Sequence, residues 1–360
     1  MAKTLKVVIA GGGTGGHIIP ALAIADELKA VYGAEMLFVG TPRGLESRLV
    51  PQAGYPLKLI EVGQLKNVSL LTRARTLLDL PLSLVRCRAL LREFAPDAVV
   101  GVGGYASGPA MGAAVLSGIP TLAFEPNAFP GLANRLVGKR VSATAVNFAP
   151  AARYFRNAEI TGIPVRKEFF ALRARPVDAD PHLLVFGGSQ GARALNSFVP
   201  KIAAGLLAAV PGLTMLHQAG ARHAEATLAA YQASGADPGR WQVHAFLDDM
   251  PRCFEAADLV LSRSGASTVA ELAAAGKPSL LIPFPQAADD HQHKNAEVLV
   301  AAGGAAMLIE ANLTAERLSA TLLELLGDRP RLQAMSERAR TLAHPDASRR
   351  IAEMVRSIAR

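Results

Sequence analysis

The chain has 360 residues, of which 50% are hydrophobic and 19% are charged, so wholesale disorder is excluded and two domains of ordinary size are expected. The net charge of +8 is compatible with nucleic acid, a membrane surface or an anionic substrate as a partner. Nucleic acid is the least expected of the three, because only 5% of the residues are aromatic and no helix shows a dense basic face. Two widely separated cysteines and the lack of a recognisable signal segment fit a reducing cytoplasm.

The first half of the chain alternates predicted strands and helices. An apolar strand at 5–10 runs into a glycine-rich segment at 11–16, and a helix follows over 18–31. Further strands are predicted at 35–40, 56–62, 98–102, 121–124 and 143–148. This alternation is typical of a parallel α/β sheet.

The run at 98–124 carries no charge over 27 residues and could be taken for a membrane span. It contains six glycines and two prolines and divides into strand, loop, helix and strand. A buried α/β segment is therefore the better interpretation.

The second half repeats the same order of elements. A strand at 183–186 leads into a glycine loop at 187–191 and a helix over 192–210. Further strands are predicted at 213–218, 242–246, 259–262, 279–284 and 305–309. We therefore predict an α/β protein of two doubly wound, Rossmann-like domains with parallel sheets, 1–164 and 165–346, facing a ligand cleft.

The two glycine loops point to a phosphorylated ligand. Each follows a strand and opens a helix, where bare backbone and the positive helix end favour an anion. The first loop satisfies the dinucleotide pattern, but no acidic residue ends the second strand, and Ser189 interrupts the pattern in the second loop. These departures disfavour nicotinamide binding relative to diphosphate or sugar binding. The alternative to a ligand site is that the glycines of the first loop serve only a tight turn.

A third small-residue segment, 263–271, follows the strand at 259–262 and begins another helix. The hydroxyls of Ser267 and Thr268 suit a phosphate, and Glu271 could accept hydrogen bonds from two ribose hydroxyls. The alternative is an ordinary capped helix with a solvated glutamate.

His291 and His293, with Asp289 and Asp290 beside them, resemble a metal site. Residues two apart on a helix point to different faces, and no third histidine has suitable spacing. No metal is therefore expected, and recognition of sugar hydroxyls by Gln292 is the better hypothesis.

Two side chains are candidates for acid–base chemistry. His17 follows the first glycine loop at a helix start, where the positive helix end favours the neutral imidazole that accepts a proton. Glu125 ends a predicted strand at the carboxyl edge of the sheet, where active sites form. The alternative for His17 is that it only orders the loop.

Residues 65–92 carry Lys66, Arg73, Arg75, Arg86, Arg88 and Arg92 against one acid, Asp79, among many leucines. A basic, leucine-rich stretch suits peripheral contact with anionic lipid. The alternative is a packed helix with a solvated basic face.

Five segments together, 11–17, 101–108, 187–193, 263–271 and 289–292, resemble the MurG family of bacterial N-acetylglucosaminyltransferases in sequence and order. The resemblance implies a GT-B fold whose last helix, 347–360, packs back on the N-terminal domain. It also implies a metal- and cofactor-independent, inverting transfer of N-acetylglucosamine (GlcNAc) from UDP-GlcNAc to the muramoyl C4 hydroxyl of lipid I, an undecaprenyl diphosphate. The product is lipid II, for peptidoglycan synthesis, and the enzyme would be peripheral on the cytoplasmic face of the bacterial inner membrane.

The resemblance also implies site residues. The UDP-GlcNAc contacts fall on Thr14, Gly15, Gly16, Asn127, Arg166, Ser189, Leu247, Ala266, Ser267, Thr268, Val269, Ala270, Glu271 and Gln292. Among these, the backbone of Leu247 would contact the uracil, Glu271 the ribose and Gln292 the sugar. Gly13, Gly103 and Gly104 would face the acceptor diphosphate. Pro126 departs from the Glu-Gln-Asn that the family commonly has here, so this wall of the site is expected to differ.

Three rival functions remain at this point. Two are enzymes, a sugar transferase acting on diacylglycerol and a UDP-GlcNAc 2-epimerase. The third is a catalytically silent UDP-sugar-binding scaffold at the membrane, which predicts nucleotide binding without turnover.

Overall fold

A computed structural model gives the structure of the chain. It describes residues 3–62, 70–104, 106–173, 175–176 and 179–360, with the side chains of 70–80 left aside. The predicted basic segment therefore lies partly outside the described residues, since Lys66 and the side chains of Arg73 and Arg75 are not among them. The chain divides into two compact units, unit 1 with residues 1–164 and 346–360 and unit 2 with residues 165–345.

Unit 1 is built around a parallel sheet of seven strands. Its elements in chain order are β1 (Lys6–Gly11), α1 (Gly15–Tyr32), β2 (Glu35–Gly40), α2 (Glu46–Gln52), β3 (Leu57–Leu59), α3 (Leu70–Phe94), β4 (Ala98–Gly103), α4 (Ser107–Leu116), β5 (Thr121–Glu125), α5 (Leu132–Val137), β6 (Ala143–Val146), α6 (Ala149–Ala152) and β7 (Ala158–Ile160).

The strand order of unit 1 is β3-β2-β1-β4-β5-β6-β7. β1 pairs with β2 on one side and β4 on the other, so the chain reverses its direction of winding between β1 and β4. Loops that follow two such strands diverge to opposite faces and leave a crevice, which is where open α/β sheets bind ligands. The first glycine loop after β1 and Gly103 and Gly104 at the end of β4 flank this point.

Unit 2 has a six-stranded parallel sheet. Its elements are α7 (Lys167–Phe170), β8 (His182–Phe186), α8 (Arg193–Ala209), β9 (Thr214–Gln218), α9 (Ala224–Gln232), β10 (Trp241–His244), α10 (Met250–Ala256), β11 (Leu259–Ser262), α11 (Ala266–Ala275), β12 (Ser279–Leu281), α12 (His291–Ala301), β13 (Ala305–Met307), α13 (Ala315–Leu326) and α14 (Arg329–Arg340), with short 3₁₀ turns at Pro238–Arg240, Ala288–Asp290 and Glu310–Asn312. The last helix, α15 (Ala347–Ile358), belongs to unit 1 and packs on α1.

The strand order of unit 2, β10-β9-β8-β11-β12-β13, has its switch point between β8 and β11. The second glycine loop follows β8, and the small-residue segment at 263–265 follows β11. The predicted ligand loops of each unit thus lie at that unit's switch point.

The predicted fold class, two parallel α/β domains of Rossmann type, is confirmed. The central strands are buried on both faces and read as apolar runs, which made them easy to predict. The uncharged run at 98–124 forms β4, α4 and β5, and no helix within the described residues is long and apolar enough to cross a membrane. β7 was not predicted, because three residues at a sheet edge carry no alternation to read.

Candidate active site

His17 lies in the first turns of α1, at the switch point of unit 1. Its Nδ1 is 2.8 Å from the carbonyl oxygen of Val102 in β4. A carbonyl can only accept, so Nδ1 carries the proton and Nε2 is the basic nitrogen of the neutral ring. The sheet therefore fixes the tautomer and the orientation that a general base acting through Nε2 requires.

The loop after β4 packs directly on the first glycine loop. A Cβ on Gly103 would lie 2.8 Å from Cε1 of His17, and one on Gly104 would overlap the carbonyl oxygen of Gly12. The Gly12 N–H in turn donates to the carbonyl oxygen of Gly103 at 3.2 Å. The bare backbone of Gly103 and Gly104 thus brings the two loops together around the imidazole.

A buried carboxylate supports the first glycine loop from inside. Glu46, the first residue of α2, is 1% exposed. One of its oxygens accepts from the N–H of Gly13 at 2.6 Å, and the other accepts from the N–H and the hydroxyl of Thr41, both at 2.9 Å. A Cβ on Gly12 or Gly44 would overlap this carboxylate. These glycines therefore make room for Glu46 and not for a ligand.

This support changes the expected role of Gly13. Its N–H is engaged with Glu46, so the predicted contact with an acceptor diphosphate cannot use this donor in the geometry seen. Gly13 has a φ of +94°, and no atom lies within 4 Å of where its Cβ would be. Gly13 therefore leaves open space above the loop, where a ligand would fit.

Glu125 anchors the loop that follows β5, and its role as a general base stays a prediction. Its carboxylate is 2% exposed and accepts four hydrogen bonds, from the N–H and Nδ2 of Asn127 at 3.0 and 3.2 Å, the N–H of Gly131 at 3.0 Å and Nδ2 of Asn134 at 3.0 Å. Burial raises the pKa of Glu125, and these N–H donors oppose that shift. The carboxylate holds the loop at 126–131 in shape, and its oxygens are occupied.

The second glycine loop is built like the first. Gly188 has a φ of +86° with open space where a Cβ would be, whereas a Cβ on Gly191 would overlap the carbonyl oxygen of Ala219. Ser189, between them, is exposed. The support behind this loop is Gln218 at the end of β9, whose Nε2 donates to the carbonyl oxygen of Gly188 at 2.9 Å.

α11 begins at the switch point of unit 2. Ser267 and Thr268 in its first turn are partly exposed, whereas the side chain of Val269 is 1% exposed and faces the core. A ligand contact at Val269 would therefore use its backbone, and that contact stays a prediction. Desolvation raises the pKa of Glu271 to about 7, and the positive charge of Arg166 opposes that rise.

The polar loop before α12 is held by its own contacts. Gln292 Oε1 accepts from the N–H of Phe284 at 3.0 Å, and its backbone carbonyl accepts from the hydroxyl of Ser264 at 2.8 Å. His291 and His293 turn to different partners, since Nδ1 of His291 contacts the Ala288 carbonyl and Nδ1 of His293 contacts Asp290. Gln292 is thus tied to the segment that opens α11.

Comparison with known proteins agrees with this geometry. Residues 7–146 match the glycosyltransferase family 28 N-terminal domain, and residues 182–351 match the glycosyltransferase family 28 C-terminal domain. A protein from Anaeromyxobacter dehalogenans (strain 2CP-1) is 43% identical over 361 residues, which cover 99% of this chain and 94% of that one. The chain belongs to glycosyltransferase family 28.

A second curated relative and a solved crystal structure are also similar to this family 28 chain. A Myxococcus xanthus protein is 41% identical over 97% of this chain and 92% of its own length. It and the Anaeromyxobacter protein are both named UDP-N-acetylglucosamine–N-acetylmuramyl-(pentapeptide) pyrophosphoryl-undecaprenol N-acetylglucosamine transferase. The crystal structure of Acinetobacter baumannii MurG is 30% identical and matches with a TM-score of 0.82, covering 98% of this chain and 99% of that one.

Within this family 28 chain, the residues predicted for UDP-GlcNAc fall into two groups. Unit 1 holds Thr14, Gly15, Gly16 and Asn127. Unit 2 holds Arg166, Ser189, Leu247, Ala266, Ser267, Thr268, Val269, Ala270, Glu271 and Gln292. Inside unit 2 the structure brings Arg166 to Glu271 and Gln292 to the start of α11, whereas the ligand roles of the two groups stay predictions.

Two supports of the family 28 loops were missed by sequence reasoning, namely Glu46 and Gln218. Glu46 lies 33 residues from the N–H that it holds, so no local pattern links them. Gly12, Gly40 and Gly44 come together around Glu46 only in the folded structure, so they gave no signal in the sequence. Gln218 could have been found as a polar residue ending a buried strand at the carboxyl edge of the sheet.

Proposed function

We propose that this family 28 enzyme transfers GlcNAc from UDP-GlcNAc to the C4 hydroxyl of the muramoyl sugar of lipid I, giving lipid II with inversion at the anomeric carbon. The observation that carries this proposal is the match over both units to relatives of that name, at 43% identity over 99% of the chain. A transferase that acts on diacylglycerol would not require this polyprenyl acceptor, and an epimerase would retain the sugar.

His17 is the proposed general base. Its Nδ1–H is held by the Val102 carbonyl, which directs the lone pair of Nε2 away from β4. Nε2 takes the proton of the acceptor hydroxyl while the hydroxyl oxygen forms a bond to the anomeric carbon. The bond from that carbon to the diphosphate oxygen breaks on the opposite face, and UDP leaves with the bonding electron pair.

Unit 2 is the proposed donor-binding unit. The N–H groups that open α11, with the hydroxyls of Ser267 and Thr268, would bind the diphosphate and stabilise the charge that develops as UDP departs. Glu271 would accept hydrogen bonds from the ribose hydroxyls, with Arg166 favouring its charged form. Backbone donors and hydroxyls would thus do the work that a divalent cation does in other transferases.

Unit 1 is also the proposed membrane-binding unit. Leu82 and Val85 on α3, Leu116 at the end of α4 and Leu136 on α5 are half to three-quarters exposed, and α4 packs against both other helices. Exposed cations accompany them, namely Arg86, Lys139 and Arg140. Large exposed apolar side chains beside cations suit the surface of an anionic bilayer.

Vesicle flotation tests the membrane proposal. A variant with Arg86, Lys139 and Arg140 changed to glutamate should lose flotation with phosphatidylglycerol vesicles. A matched variant with Lys201, Arg222 and Arg252 of unit 2, all exposed, changed to glutamate should float like the unmodified protein. Equal flotation of both variants would remove this surface from the proposal.

Release of UDP tests the reaction itself. The protein is incubated in EDTA with UDP-GlcNAc, with and without a lipid I analogue. We expect release that depends on the acceptor and survives EDTA, and a disaccharide product with a β-1,4 bond. Binding of UDP-GlcNAc without release in the presence of a competent acceptor would favour a scaffold and overturn the proposal.

A further inference from the structure

Gln218 joins two loops that lie far apart in the sequence, one containing Gly188 and the other Leu247. It ends β9 and is 3% exposed. Its Nε2 donates to the carbonyl oxygen of Gly188 at 2.9 Å, and its Oε1 accepts from the N–H of Leu247 at 2.8 Å. One side-chain amide thus links the glycine loop after β8 to the loop after β10, across the strand that lies between them.

The backbone around Gln218 is rigidly held. Its neighbour His217 is fully buried, and burial lowers the pKa of His217 to about 3, so the ring is neutral. Asn196 donates through Nδ2 to the Ala219 carbonyl at 2.9 Å, so its Oδ1 accepts from Nε2–H of His217 at 3.0 Å. Nδ1 of His217 is then the acceptor for the hydroxyl of Tyr231 at 3.1 Å.

This network fixes the residues on both sides of Gln218. Asn196 lies on α8, the helix that the second glycine loop opens, so the same network also ties β9 to that helix. Gly191 and Gly220 extend the contact, because a Cβ on either would overlap backbone of the other segment. The amide of Gln218 is therefore presented to Gly188 and Leu247 from a fixed platform.

We infer that Gln218 is a positioning residue for the nucleotide sugar, setting the spacing between the loop at 187–191 and the loop that contains Leu247. The inference rests on the proposed function, under which these loops contact the donor. Gln218 itself is buried and does not need to touch the ligand. Because Gln218 holds both loops in place before binding, less free energy is needed to order them when the donor binds.

The amide of Gln218 matches this geometry in its neutral form. The Gly188 carbonyl needs a donor and the Leu247 N–H needs an acceptor, and a primary amide of this length supplies both at any pH. A glutamate in its place keeps the acceptor but turns a second oxygen toward the Gly188 carbonyl. A methionine keeps the length and leaves both backbone groups without a partner.

Steady-state kinetics with UDP-GlcNAc and a lipid I analogue test the inference. For Gln218→Glu we expect the KM for UDP-GlcNAc to rise about tenfold while kcat changes less than about twofold, because loop spacing acts on ground state and transition state alike. Gln218→Met should raise the same KM by a similar factor. The matched control is Gln232→Glu, the same change at an exposed position of α9 in unit 2.

A separate binding measurement distinguishes the possible failures. Calorimetric titration with UDP, at a temperature where each variant is folded, should show the same loss of affinity without any acceptor. Unchanged KM and unchanged UDP affinity in folded variants, with only a lower melting temperature, would overturn the positioning role. If the unmodified protein transfers no sugar, the proposed function fails, while loss of UDP affinity in the variants would still support Gln218.

Discussion

The two glycine loops of this protein have the same plan and different supports. In each loop one glycine with positive φ, Gly13 or Gly188, faces open space, while neighbouring glycines let the loop pack on its own unit. Behind the first loop lies a carboxylate, Glu46, that accepts from a loop N–H. Behind the second loop lies a neutral amide, Gln218, that donates to a loop carbonyl.

This difference assigns the two loops different electrostatic roles. A buried negative charge disfavours a second anion and favours a positive charge nearby, by an amount that grows as water is excluded. The first loop therefore suits a base that becomes an imidazolium, as His17 does under the proposed mechanism. The second loop adds no charge and suits a diphosphate. Similar glycine motifs thus do not imply the same ligand.

The largest effect that separates the two loops is expected at His17. His17→Ala should lower kcat by about 10²- to 10⁴-fold, the usual contribution of a general base, and leave the affinity for UDP unchanged. Steady-state kinetics and calorimetric titration with UDP measure the two quantities. This is the opposite pattern to that expected for Gln218→Glu, which acts on KM.

The control for His17 is His244→Ala, at an exposed position of unit 2. Near-normal kcat in His17→Ala would mean that the imidazole only orders the loop around Gly103. That result would leave Glu125, whose carboxylate accepts four hydrogen bonds within its own loop, as the remaining predicted base.

A smaller effect on stability is expected at the support of the first loop. Glu46→Gln replaces one accepting oxygen by an NH₂ group, so an N–H of Gly13 or Thr41 loses its buried acceptor, at a cost of about 1–3 kcal/mol. Urea unfolding of the protein measures the change in free energy, with Glu93→Gln at an exposed position of α3 as the control. Equal unfolding midpoints would show that the carboxylate is not needed as an acceptor.

The sequence predicted the sheets and the places of the two glycine loops in them for one physical reason. Buried parallel strands are apolar runs, and glycine loops follow them at the switch points, so both features are local in the chain. Glu46 could not be predicted in this way, because it lies 33 residues from the N–H that it holds. Whether Glu125 is a base or a loop anchor depends on where the N–H groups of Gly131 and Asn134 point, which only the folded loop determines.

The smallest predicted effect concerns Glu271, a carboxyl group on α11 of unit 2 that gains a negative charge as the pH rises. With a pKa of about 7, about a tenth of this carboxyl is ionised at pH 6 and about nine-tenths at pH 8. If the carboxylate holds the ribose, the affinity for UDP-GlcNAc should rise about tenfold between these pH values. Glu271→Gln should bind more weakly at pH 8 and show no such rise, while Glu225→Gln, at an exposed position of α9, should follow the unmodified protein.

Stability supplies an independent check on the same group. Its pKa is raised from the ordinary value of 4.5, so the folded state holds the proton more tightly than the unfolded state does. The free energy of unfolding therefore falls as the pH rises from about 4.5 to about 7, and Glu271→Gln should remove this decrease. A pH-dependent affinity that persists in Glu271→Gln would place the titrating group elsewhere. The donor unit would then have no titrating carboxylate to set against the hydrogen-bonded Glu46 behind the first loop.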